Sequence, residues 1–135
     1  MLESAQAIAK YVAGVTYEEF WDNGLIRDAV TMRIRIIGEA ARHVTTATAA
    51  TLTEIPFPKI RGMRNRITHD YKGIDYSEVW KVTQEHIPVL IAALKGYFAI
   101  HPIPALVKTE IERVRERSQA ATQGPGRPPA TAPGH

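Results

Sequence analysis

The chain of 135 residues contains no cysteine. That excludes a disulfide framework, a thiolate metal site and a cysteine nucleophile. No apolar run approaches the roughly 18 residues that cross a bilayer. The first residues, Met1-Leu-Glu-Ser-Ala-Gln6, lack the basic-then-apolar order of a signal peptide. A soluble cytoplasmic protein without a membrane partner is expected. Apolar and polar residues do not alternate over any useful length, so strands are not expected. Five histidines occur, His43, His69, His86, His101 and His135, but none forms the close pair typical of a zinc site. The expectation is therefore no metal and no cofactor.

What is present is a modest apolar fraction of 44%, in a chain of single-domain length. The 17 Lys and Arg against 14 Asp and Glu leave a formal net charge of +3. Such a balance permits an anionic partner without requiring one. The distribution says more. Lys59, Arg61, Arg64 and Arg66 fall within eight residues that hold no acid.

The apolar periodicity is helical. Leu2, Ala5, Ile8, Ala9 and Val12 define a first helix that Gly14 stops. Thr16 with Glu19 reads as a capping box for a short helix bearing Phe20 and Trp21, broken at Asn23-Gly24. Ile26, Val30, Ile34, Ile37, Ala41 and Val44 predict a long amphipathic helix. Residues 45–53 show no apolar face. Ile60, Met63 and Ile67 predict a helix over about 59–69, ended by Lys72-Gly73. Asp75 is a predicted N-cap, with Glu78 at the capping-box position, for a helix carrying Val79, Trp80, Thr83, Ile87, Leu90, Ile91, Leu94 and Phe98. Pro88 should kink that helix. His101-Pro102-Ile103-Pro104 reads as a turn, and residues 105–118 as one more, charged helix. From Gln119 the Pro, Gly, Ala and Thr composition predicts disorder. The fold class is all-α: an up-and-down bundle of four to five helices in one domain over 1–118, with a tail over 119–135.

The segment Arg61-Gly-Met-Arg-Asn-Arg-Ile-Thr-His-Asp-Tyr71 carries the chemistry. Arginine binds phosphate through a planar donor fork. Histidine exchanges protons near neutral pH. On an ideal helix Arg61, Asn65 and His69 share a face away from Ile60, Met63 and Ile67. Arg64 and His69 then lie about 140° apart. Either the helix ends or bends near His69, or two chains combine their clusters in a two-fold cleft. The pair suits phosphodiester cleavage by a ribose 2′-hydroxyl, which implies RNA. Arg64 offsets charge on the phosphate, and Asn65 orients substrate or His69. Lys59, Arg61 and Arg66 are candidate RNA contacts. Glu39 could reach Arg64 or Arg61 and orient it, or be an ordinary surface glutamate. An Arg-x4-His spacing alone equally fits a solvated arginine-rich helix with an incidental histidine, and Tyr71 a packing aromatic.

Around these residues the chain resembles the HEPN superfamily, and closely its HepT-like branch. Ile36-Ile-Gly-Glu-Ala-Ala41 is similar to that family's helix signature, and Ile60–Tyr71 to its Arg-x4-His-x-Tyr motif. Ile74-Asp75, Val79-Trp80 and Ile87-Pro88 are similar to its last long helix. The resemblance covers nearly all of residues 1–118. It implies a homodimeric helical ribonuclease: an endoribonuclease or RNA-end-processing toxin of a toxin–antitoxin module. Arg64 and His69 would be catalytic and Asn65 supporting. A nucleotidyltransferase antitoxin would join it in a hetero-oligomer and, in some systems, silence it by AMP transfer to Tyr71. The alternative is a non-catalytic helical module that binds nucleotide or RNA and partners the nucleotidyltransferase.

Overall fold

The computed structural model describes residues 1–102 and 105–122, without the side chains of Tyr71 and residues 105–108. Among the described residues there are helices and turns but no strand. The helices are α1 (Leu2–Val12), α2 (Tyr17–Asp22), α3 (Gly24–Ala41), α4 (Thr46–Thr51), α5 (Phe57–His69), α6 (Tyr76–Lys81), α7 (Ile87–Ile100) and α8 (Ala105–Thr122). The all-α class expected from the periodicity is what forms. No described helix is long and apolar enough to cross a membrane.

Local chemistry sets most boundaries. Gly14 leaves α1 at φ +70°, a conformation that costs a residue with a Cβ. Thr16 Oγ1 accepts from the Glu19 amide at 3.2 Å, and Glu19 Oε2 accepts from the Thr16 amide at 3.0 Å, completing the predicted capping box of α2. Asn23 Oδ1 then caps α3 through the Ile26 amide. Asp75 caps α6 by accepting from the Ser77 amide at 2.9 Å and the Ser77 hydroxyl at 2.6 Å. Those bonds hold its carboxyl below the usual range. Pro56 and Pro58 open α5, where a missing N–H leaves no intrahelical bond unmade.

Three local features go beyond what the periodicity indicates. Within residues 45–53, which lack an apolar face, Thr46–Thr51 nonetheless form α4. Thr45 Oγ1 caps it through the Thr48 amide at 3.2 Å, and no residue of α4 is buried, so capping rather than burial marks it. The predicted kink at Pro88 is a π-helical turn, Val82–His86, between α6 and α7. Proline cannot donate to Gln84, and the wider turn lets the Ile87 amide reach Val82 O instead. Third, α8 runs past residue 118 to Thr122, and the chain divides into compact units at His101. The residue before Pro102 is disfavoured in α conformation, which ends α7 there. The rest of the predicted tail, residues 123–135, and Ile103-Pro104 of the predicted turn lie outside the described residues.

Within the unit Met1–Ile100, α3 packs on α1, α2, α5 and α6, and α1 packs on α7. Val30, Ile34, Ile37 and Ala41 are the buried face of α3. They meet Ala5 and Ile8 of α1, Phe57, Met63 and Ile67 of α5, and Val79, Ile87, Leu90 and Leu94 of the last rod in one core. Each large apolar side chain fully buried this way contributes about 1.5–3 kcal/mol. Trp80 is only partly buried; its ring lies 5.1 Å from Phe20 and 6.1 Å from Tyr17. The second unit carries α8, whose Arg113 pairs with Glu110 at 3.7 Å.

Candidate active site

The site is built where α3 and α5 come closest. Gly38 of α3 lies against Arg64 of α5 with no room for a side chain: a Cβ there would sit 2.7 Å from Arg64 Cγ. This approach puts Arg64 over the next residue of α3, Glu39. Arg64 Nε donates to Glu39 Oε1 at 2.6 Å, and Arg64 Nη2 donates to the same oxygen. Arg64 Nη1 donates to Asn65 Oδ1 at 3.0 Å. The Arg64 side chain is 14% exposed and that of Glu39 39%, so the pair sits at a shallow edge. Three of the five guanidinium N–H donors are thus engaged in fixing the fork, and two remain for an anion. The Arg64 hydrogen bonds hold the Glu39 carboxyl below the usual range, with the nearby arginines adding to the effect.

Two participants were not legible in the sequence. Gly38 is one; an interior helix glycine was the only signal of a close approach. Arg42 is the other, with Nη1 3.5 Å from Glu39 Oε2 at i, i+3 spacing. It occupies the carboxylate oxygen that Arg64 leaves free.

His69 is the last residue of α5 and is exposed. Asp70 leaves the helix at φ −132° and ψ 59°, and its carboxylate accepts from the Gly73 amide at 3.1 Å. The chain then forms a 3-10 turn, Tyr71–Gly73. The helix therefore ends after His69 and not before it, so the wide angle between Arg64 and His69 persists within one protomer. No hydrogen bond joins the two among the described residues. The role expected of the Tyr71 side chain lies outside the described residues. The three other basic residues separate. Arg61 is exposed, whereas Lys59 and Arg66 border a groove between α5 and the α6–α7 rod. Among the described residues, no group of three or more His, Asp or Glu is placed to hold a metal ion.

The family model described as ribonuclease HepT-like matches residues 1–96, which includes the whole Glu39–Arg64–His69 constellation. The chain belongs to the HepT-like ribonuclease family. This HepT-like chain is also similar to a provisionally named RNase of Methanocaldococcus jannaschii. The two are 36% identical over 88 residues, 65% of this chain and 81% of the relative. A second provisionally named RNase of that organism is 34% identical over 88 residues, 65% of this chain and 73% of the relative. A provisionally named ribonuclease HepT of Thermococcus cleftensis is 30% identical over 96 residues, 71% of this chain and 84% of the relative. No solved structure matches the chain significantly.

Proposed function

We infer that this HepT-like ribonuclease is a toxin that cleaves RNA in a cleft between two copies of the chain. The observation that carries the reading is the tethered Arg64: a nearly buried guanidinium, aligned by Glu39 and Asn65, that keeps two donors open. In the reaction one His69 takes the proton from a ribose 2′-hydroxyl. The oxygen attacks the adjacent phosphorus, and the P–O5′ bond breaks. The His69 of the second copy returns a proton to the leaving 5′-oxygen. Arg64 neutralises the phosphate oxygens as charge builds. Arg61, on the helix face of His69, meets the RNA backbone.

The dimer is supported by an unpartnered stripe on α3. Leu25, Met32 and Ile36 are 84%, 51% and 41% exposed. With Ala29 they fall on one line of the helix, and Glu39 lies about 40° from it. A two-fold contact along this stripe covers the apolar side chains and brings the two Arg64 edges together.

A nucleotidyltransferase antitoxin completes the module. It transfers AMP from ATP to the Tyr71 hydroxyl: the phenolic oxygen bonds to the α-phosphorus and pyrophosphate leaves. The turn that begins at Tyr71, two residues past His69, supports this placement. The added phosphodiester would compete for Arg64, and its bulk would block RNA.

Incubation of the purified protein with RNA tests the reaction. Products ending in 2′,3′-cyclic phosphate are expected, with none from His69→Ala or Arg64→Ala. RNA that is bound but left intact by the wild type would instead identify a non-catalytic binding module. Coexpression with the antitoxin should add the mass of one AMP to a peptide containing Tyr71. An inhibited but unmodified protein would refute that step.

A further inference from the structure

The flank of α5 away from Arg64 borders a groove of about 600 Å³ between α3, α5 and the α6–α7 rod. Ile34, Ile37, Met63, Ile87 and Leu90 form its floor. Lys59 and Arg66 stand on one wall and Lys81 and His86 on the other, with Glu78 as the acid of the lining. The walls run for about 11 Å along α5 and about 18 Å along the opposite rod, two to three turns of helix.

Two features of the walls bear on what the groove accepts. Gly62 sits inside α5, where a Cβ would meet nothing within 4 Å. Glycine is the poorest helix former after proline, and neither its φ nor any close neighbour requires it here. A bare backbone at this point admits the close approach of another chain. In addition, both ends of the π-helical turn, Val82 and His86, line the groove. Pro88 explains why the α-helix breaks, and π turns recur at functional surfaces.

We propose that this groove docks an acidic amphipathic helix of a partner protein. Aliphatic side chains of that helix cover Met63 and Ile87, its carboxylates meet Lys59, Arg66 and Lys81, and its backbone passes close to Gly62. The floor is aliphatic and offers no aromatic ring on which a nucleobase would stack, which disfavours RNA. Helix-in-groove recognition uses aliphatic anchors on such a floor. A second copy of this chain, seated two-fold on the same groove, would set the basic walls against each other.

The test uses fluorescence anisotropy with the full chain and three probes. These are a labelled three-turn peptide with Leu on one face and Glu on the other, the same peptide with every Glu replaced by Lys, and a single-stranded RNA. Saturable binding of the acidic peptide alone is expected, weakening as salt rises. Lys81→Glu and Val82→Trp should each weaken it roughly tenfold while RNA cleavage stays unchanged. Gly62→Ala should raise the thermal midpoint and yet weaken the peptide, a pair of effects that a purely structural glycine would not produce. Arg64→Ala should leave peptide binding intact. The proposal is overturned if the acidic peptide does not bind, or if both peptides bind equally. It also fails if Lys81→Glu has no effect, if RNA competes for the groove, or if Val82→Trp changes the oligomeric mass and so marks a self-contact.

Discussion

Arg64 gains its orientation from one carboxylate and one glycine, and each makes a distinct prediction. Glu39→Gln keeps the shape but removes the charge that aligns the guanidinium. A loss of about a hundredfold in RNA cleavage is expected, since misplacing a positioned group by about 1 Å costs that much. Single-turnover kinetics would read it. Glu39 also has a stability signature. Its folded pKa lies below the unfolded value, so its stabilisation is complete above the ordinary carboxylate range and is lost as pH falls through the lowered value. Thermal midpoints of wild type and Glu39→Gln should therefore differ near neutrality and converge in acid. A gap that persists unchanged into acid would contradict the ion pair. Asp75, lowered by its bonds to Ser77, adds a loss of the same sign to both proteins. Gly38→Ala places a methyl group against the Arg64 side chain. A cost of about 1–3 kcal/mol is expected from overpacking, with α3 and α5 pushed apart and cleavage reduced beyond what the stability loss explains. Wild-type denaturation and kinetics in this variant would show that the approach is not constrained. Arg64 and Glu39 were readable as residues because their types carry chemistry. Gly38 and Arg42 were not, because their importance lies in what stands opposite them.

Helix boundaries follow caps more closely than apolar pattern. Thr16→Ala removes the hydroxyl half of the capping box at α2, leaving the residue-16 amide to donate to Glu19, and should cost about 1 kcal/mol in urea denaturation. A change within error would mean that packing of Phe20, not the cap, holds α2. The element-scale reading succeeded at Gly14, Thr16, Asn23 and Asp75, where a single side chain or its absence decides the backbone. It missed α4, because a helix with no buried residue leaves no periodic trace. At Pro88 it gave the right position but not the form. Proline forbids one hydrogen bond locally, whereas the choice between a kink and a π turn depends on how Thr83, Ile87 and Leu90 must enter the core.

In the whole molecule, a cleft that uses the His69 of both copies, one as base and one as acid, predicts that the two variants fail to complement each other. Arg64→Ala and His69→Ala proteins should each be inactive. After mixing and exchange of subunits, heterodimers hold a single His69 in their cleft and should stay inactive as well. Recovery of about a quarter of wild-type activity would show instead that one Arg64 and one His69 suffice for each site. A charged substitution on the α3 stripe, Met32→Glu, should lower both the dimer fraction in sedimentation and the cleavage rate. Loss of neither would remove α3 from the interface.

The sequence by itself determined the all-α class and the family, and it marked the residue types of the candidate site. Those rest on local periodicity, capping and the fixed order of Arg64, His69 and Tyr71 along one segment. Only the tertiary structure decided that Glu39 rather than a solvent-facing partner takes Arg64, that Gly38 sets the separation of α3 and α5, and that Lys59 and Arg66 turn to a groove away from Arg61. These are contacts between segments some twenty-five residues apart. Their distances depend on how two helices pack, and packing depends on every side chain in the interface at once.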